Sequence, residues 1–191
     1  IKSLLEALLL TGLAMLVNTN SRPAASNEHN MGHYWEMMKL SSGKPHPSHG
    51  EAVGVATLYC LDFYGRILNA DNYDISPDTL PWEAYDPEKR DAVLLKKHGE
   101  TVGRSIIDDN PGEPVSHEER LRRAKAFADN LPKIRKALSF LPSMEDVKTL
   151  YTYLNGPVSS DDIGIEKELL RDALMYAKDY RDRYNIFKTA E

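Results

Sequence analysis

The sequence predicts an all-α fold. Apolar residues recur at spacings of three and four in several segments, and serines stand three residues ahead of a glutamate at two helix starts. No alternating apolar-polar run of useful length appears.

The first predicted helix, Lys2 to Val17, is apolar nearly all round (Leu4, Leu5, Leu8, Leu9, Leu13, Leu16), the pattern of a central helix buried on every side. A polar run ends it, and Pro23 cannot continue it. Ser26 or Asn27 caps a second helix reaching Met38, with Met31, Tyr34, Trp35 and Met38 on one face, followed by a Ser-, Gly- and Pro-rich loop from Ser41 to Pro47. Ser48 and Glu51 form a capping box for a third helix, from about His49 to Leu68. Asn69 to Pro81 is a connection, and Pro87 to about Ile107 is a helix interrupted or weakened near Gly99 and Gly103. Ser116 and Glu119 form a second box, opening a charged helix to about Leu141, and Ser143 opens a short one. Asp161 to Ile165 reads as a turn, and Glu166 to Tyr184 as a closing amphipathic helix. With no internal repeat or low-complexity tract, residues 1–191 read as a single helical domain.

The 191 residues carry 29 acidic and 24 basic side chains, a formal net charge of −5, and 41% are hydrophobic. No basic stripe is available to neutralise phosphates, so nucleic acid is not an expected partner. The stretch from Leu4 to Val17 is shorter than the roughly 20 residues that cross a bilayer. Glu6 also argues against a secretory signal, so no membrane association is expected and the expected location is cytoplasmic. The single cysteine, Cys60, cannot form an internal disulfide and is expected to pack. The chain starts at Ile1, in a leucine-rich helix with no cap before it, which reads as part of a longer chain. There is no GxGxxG after a strand and no GxxxxGK[ST], so a nucleotide cofactor has to be held by another domain.

His29 and His33 are four apart and share one helix face, and His49 opens the next helix. The short connection predicts antiparallel packing, which brings His49 back towards His29. Imidazoles with a carboxylate and an open position suit a catalytic zinc, iron or nickel ion. The pair lacks the glutamate of HExxH, and half-exposed helix histidines are the other reading. His46 adds little, while His98 and His117 read as solvated surface. Trp35, Met37 and Met38 read as core, and Trp82 as a loop anchor. Arg181, Asp182 and Arg183 read as a surface network in preference to an anion contact.

The string Ser21-Arg22-Pro23-Ala24-Ala25-Ser26-Asn27-Glu28-His29, then His33, then Ser48-His49-Gly50-Glu51-Ala52-Val53-Gly54-Val55, resembles the C-terminal helical domain of the sn-glycerol-1-phosphate dehydrogenase family. The bacterial, arabinose-operon-type branch is nearest, within the superfamily of iron-containing alcohol dehydrogenases and 3-dehydroquinate synthases. Ile163-Gly164-Ile165 and Arg181-Asp182-Arg183-Tyr184-Asn185-Ile186 resemble that family's closing segment, so the resemblance spans nearly the whole chain. It implies a divalent metal (Zn, Ni or Fe) held by His29 and His49, with His33 contacting the substrate, and assigns no catalytic residue to this chain. The third ligand it implies is an aspartate upstream of Ile1, and the NAD(P)-binding domain also lies outside the chain, so the fragment alone is expected to be inactive. The implied reaction interconverts glycerol 1-phosphate and dihydroxyacetone phosphate in a homodimer. Ala25-Ser26-Asn27 departs from the family's Ser-Gly-Ser. The His-Gly-Glu-Ala-Val run also resembles dehydroquinate synthases, but Ser21-Arg22-Pro23 stands where those have Asn-Phe-Gly. A non-catalytic helical packing or dimerisation module is the third reading.

Overall fold

Helix starts in the computed structural model, which describes residues 1–70, 86–112, 116–181 and 185–190, follow the capping signals. Among these residues are seven α-helices and no strand: α1 (Lys2–Asn18), α2 (Asn27–Ser41), α3 (His49–Asn69), α4 (Pro87–Asp109), α5 (His117–Ala137), α6 (Met144–Tyr153) and α7 (Lys167–Tyr176). The all-α expectation is borne out. Trp82, Asp182, Arg183 and Tyr184 lie outside the described residues.

At α3, Ser48 Oγ accepts from the Glu51 amide at 3.3 Å, and Glu51 Oε2 accepts from the Ser48 amide at 3.0 Å. Each bond satisfies a donor that the helix leaves open at its first turn. The Ser48 hydroxyl, donating to Glu51 Oε2 at 2.8 Å, and the Ser48 amide together hold the Glu51 carboxyl below the usual carboxylate range. Ser143 and Asp146 repeat the box at α6. At α5, Ser116 Oγ accepts from the Glu119 amide at 3.2 Å, while the Glu119 carboxylate pairs with Arg122 and Arg123 at 2.6 and 2.7 Å. α2 departs from expectation, because Ser26 is its N-cap without a side-chain cap bond. There the Glu28 carboxylate reaches back instead, accepting from the Ser26 amide at 2.8 Å.

Gly99 interrupts α4 at φ 75°, ψ 171°, a conformation essentially confined to glycine. Gly103 has a different role: a Cβ there would lie 2.9 Å from the Leu94 carbonyl oxygen, so the residue permits close backbone approach across the interruption. After Gly164 in the left-handed region, α7 ends at Tyr176 and tightens into a 3-10 turn, Ala177–Asp179, short of the expected Tyr184. Asn110 captures that turn by donating to the Asp179 carbonyl at 3.1 Å.

The core joins Met31, Tyr34 and Trp35 of α2 to Ala52, Val55, Ala56 and Cys60 of α3, and to Leu94, Val102 and Ile106 of α4. Ile107, Ile165, Ala173 of α7, Ala177 and Phe187 complete it. Trp35 is fully buried, as expected, and burial pushes the Cys60 thiol pKa up, consistent with a packing role. Gly32 sets the α2–α3 approach, since a Cβ there would lie 3.0 Å from Val53 Cγ2. That closeness brings the two histidine-bearing helix segments together.

Two further expectations are corrected. No residue of α1 is buried, and Leu8, Leu9 and Leu16 are 61%, 68% and 73% exposed. Apolar on every side, α1 offers no single face that one neighbour can cover, and it packs against the Arg22–Ala24 turn while its leucines stay exposed. His98 is the second correction, for it is buried, with Nδ1 3.0 Å from the Tyr34 hydroxyl and its ring edge-on to Tyr34 and Tyr176. The interruption at Gly99, its neighbour, is where the helix departs from regular geometry, so the charged sequence around His98 did not report its tertiary surroundings. No helix among the described residues is long and apolar enough to cross a membrane.

Candidate metal centre

The helical period separates α2 into two stripes. Asn27, Met31, Tyr34 and Trp35 face the core, while His29, His33 and Glu36, at steps of four and three, form the adjacent half-buried stripe. α3 starts across the loop with His49 in its first turn, after the Ser48 cap. The close α2–α3 packing at Gly32 and Val53 therefore brings His49 to the histidine stripe.

The three imidazoles form one cluster. Ring centroids are 4.9 Å apart for His33 and His49, 5.5 Å for His29 and His49, and 6.4 Å for His29 and His33. Every Nδ1 meets a carboxylate oxygen: His29 with Glu28 at 2.9 Å, His33 with Glu36 at 3.2 Å, and His49 with Glu36 at 2.8 Å. The rings are partly open to solvent, with the His29, His33 and His49 side chains 29%, 40% and 50% exposed. Glu36 lies deeper, at 17%.

A neutral imidazole offers one donor nitrogen and one acceptor nitrogen, and a carboxylate at Nδ1 leaves the Nε2 lone pair for another partner. Metal-ligating histidines commonly have their second nitrogen bonded to such a carboxylate. This donor set fits a divalent transition metal, for which imidazole and carboxylate ligands are both suitable. His33, Glu36 and His49 each also offer a ligand atom within 4.8 Å of the others.

Sequence reasoning singled out His29, His33 and His49 but did not single out Glu36. The available signal was local, since Glu36 is three residues after His33 and so one helical turn away. Tyr180 had no such signal. Its ring lies 5.9 Å from that of His33, and Arg181 sits over Tyr180 with the guanidinium 5.1 Å from the ring centroid. Arg181 also approaches Asp109 at 3.9 Å. His46 is exposed, with Nδ1 2.9 Å from the Pro47 carbonyl, and His117 is half-buried in the first turn of α5. Neither belongs to the histidine cluster.

The resemblance read from the Ser21–His29 and Ser48–Val55 motifs is borne out by comparison with known proteins. The chain is 30% identical over 188 residues to a protein of Bacillus licheniformis named glycerol-1-phosphate dehydrogenase [NAD(P)+], covering 98% of this chain and 34% of that protein. Proteins of the same name from Geobacillus stearothermophilus and Halalkalibacterium halodurans are each 29% identical, over 98% and 97% of this chain and 37% and 36% of their own lengths. The chain thus spans about a third of the length of these curated relatives. No protein-family model matches it, and no solved structure matches it.

Proposed function

We propose that this chain carries the metal- and substrate-binding part of an NAD(P)-linked glycerol-1-phosphate dehydrogenase. The observation that carries the reading is the convergence of His29, His33 and His49, with Nδ1 of each at a glutamate carboxylate. Similarity along 98% of the chain to proteins named for that activity supports the same reading.

In this reading His29 and His49 hold a divalent zinc, nickel or iron ion, completed by a carboxylate outside the chain. The ion, when bound, serves as a Lewis acid for the oxygen at the reacting carbon. His33, one turn from His29, is directed at the glycerol phosphate or dihydroxyacetone phosphate substrate, where its ring nitrogen hydrogen-bonds a hydroxyl. Glu28 and Glu36 orient the imidazoles, and the Tyr180 ring closes one side of His33. NAD(P) is bound mainly by residues outside this chain, and the enzyme is a cytoplasmic homodimer.

Zinc binding by the 191-residue chain and by a form extended upstream tests this reading. The expected result is tight binding in the extended form, lost in His29→Ala and in His49→Ala, with His33→Ala retaining zinc but losing affinity for glycerol 1-phosphate. Binding that survives both ligand substitutions, or no binding in either form, overturns it.

A further inference from the structure

We propose that Glu36 is a positioning residue: its one carboxylate fixes His33 and His49 together as Nδ1–H tautomers, so that both rings present an Nε2 lone pair. Glu36 Oε2 lies 3.2 Å from His33 Nδ1, and Oε1 lies 2.8 Å from His49 Nδ1. Each oxygen thus serves one ring. A carboxylate only accepts hydrogen bonds, so the proton of each neutral ring resides on the nitrogen that faces it. The two rings are consequently held close to parallel, 30° apart with centroids 4.9 Å apart.

The two bonds differ in origin. His33 and Glu36 are one turn apart on α2, so helix geometry alone brings them together. His49 belongs to α3, and its bond to Glu36 spans 13 residues and ties the first turn of α3 to α2. Glu36 is 17% exposed against 50% for His49, so the deeper carboxylate anchors the more exposed ring. Glu36 therefore acts through the two histidines, and what their Nε2 atoms bind rests on the metal reading above. In the competing arrangement Glu36 ligates the ion itself, together with His33 and His49, whose ligand atoms lie within 4.8 Å of its own.

The isosteric substitution Glu36→Gln separates these arrangements. A glutamine oxygen can accept from one ring, but its NH2 group has to donate to the other, which forces that ring into the Nε2–H form and removes its Nε2 lone pair. The experiment is side-chain 15N NMR of the metal-free chain at about pH 8, above the ordinary imidazole range, combined with zinc titration. The expected spectrum has His33 and His49 both as Nδ1–H tautomers in the parent chain and one of them as Nε2–H in Glu36→Gln. Where the switched ring is His49, zinc affinity falls about 10- to 100-fold in Glu36→Gln, the range found when a partner behind a ligand is removed, and further in His49→Ala. Where it is His33, zinc affinity holds and affinity for glycerol 1-phosphate falls instead.

An Nε2–H tautomer at either ring of the parent chain overturns the proposal, and that measurement needs no folded variant. Unchanged tautomers in a folded Glu36→Gln chain overturn it too, as does a loss of zinc equal to that of His49→Ala, which marks a direct ligand. If the tautomers switch as expected but the parent chain, alone and extended upstream, binds no zinc, the positioning role stands and the metal reading fails. If zinc binds and the tautomers do not switch, the metal reading stands without this role.

Discussion

Tyr34 and His98, 64 residues apart, meet in the core with the phenol oxygen 3.0 Å from Nδ1 of the imidazole. Burial pushes the Tyr34 pKa up, so the phenol keeps its proton in the hydrogen bond it shares with Nδ1, and His98 Nε2 is buried with no hydrogen-bond partner among the described residues. The site is built for the neutral ring, and burial lowers the His98 pKa to about 4.

Stability is therefore expected to fall with acid in a defined window. The folded chain holds His98 neutral down to about 4, while the unfolded chain takes up a proton near the ordinary value of about 6.5. The contribution is complete above the unfolded value and is lost as pH falls through the window towards the folded one. Its size is on the order of 3 kcal/mol. Urea unfolding of the parent and of His98→Gln across this range checks it, and an equal acid sensitivity in both chains contradicts the assignment to His98.

The contrast between α1 and the core predicts two different costs for the same substitution. Leu94 is 2% exposed within the core, so Leu94→Ala is expected to cost about 2–5 kcal/mol through lost burial and a residual cavity. Leu9 is 68% exposed, and Leu9→Ala is expected to stay within about 0.5 kcal/mol. Chemical denaturation of the two variants measures both, and comparable losses would show that α1 packs more deeply than its exposure indicates.

Lys39 is 7% exposed, and both Glu166 oxygens accept from its ammonium, at 2.8 and 3.0 Å. Glu166 itself is 56% exposed, so the pair is half solvated and its Coulombic worth is modest. Removing only the carboxylate leaves the buried ammonium short of a partner, and Glu166→Ala is expected to cost about 1–3 kcal/mol. Lys39→Met combined with Glu166→Ala is expected to recover part of that loss, because no buried charge is then left behind. A double variant less stable than Glu166→Ala alone argues that the lysine is adequately solvated by itself.

Much of this molecule was legible locally. Ser48 and Ser143 announced their helices because a capping bond closes within three residues, and Gly99 marked a break because its backbone conformation excludes other residues. The pairing of His29 and His33 on one face followed from the helical period, which is set by backbone geometry alone. Glu28 was less legible: Ser26 makes no side-chain cap bond, and the Glu28 carboxylate instead accepts from the Ser26 amide at the start of α2.

The sequence by itself determined the all-α class, most helix starts and the histidine stripe of α2, all products of interactions within about four residues. Tertiary structure alone decided that His49 stacks on His33 with Glu36 between their Nδ1 atoms, that Tyr180 flanks the same ring, that His98 is buried, and that α1 stays exposed. Those outcomes depend on how helices pack: a contact such as the one at Gly32 and Val53 fixes the separation of two elements, and no local propensity encodes that distance.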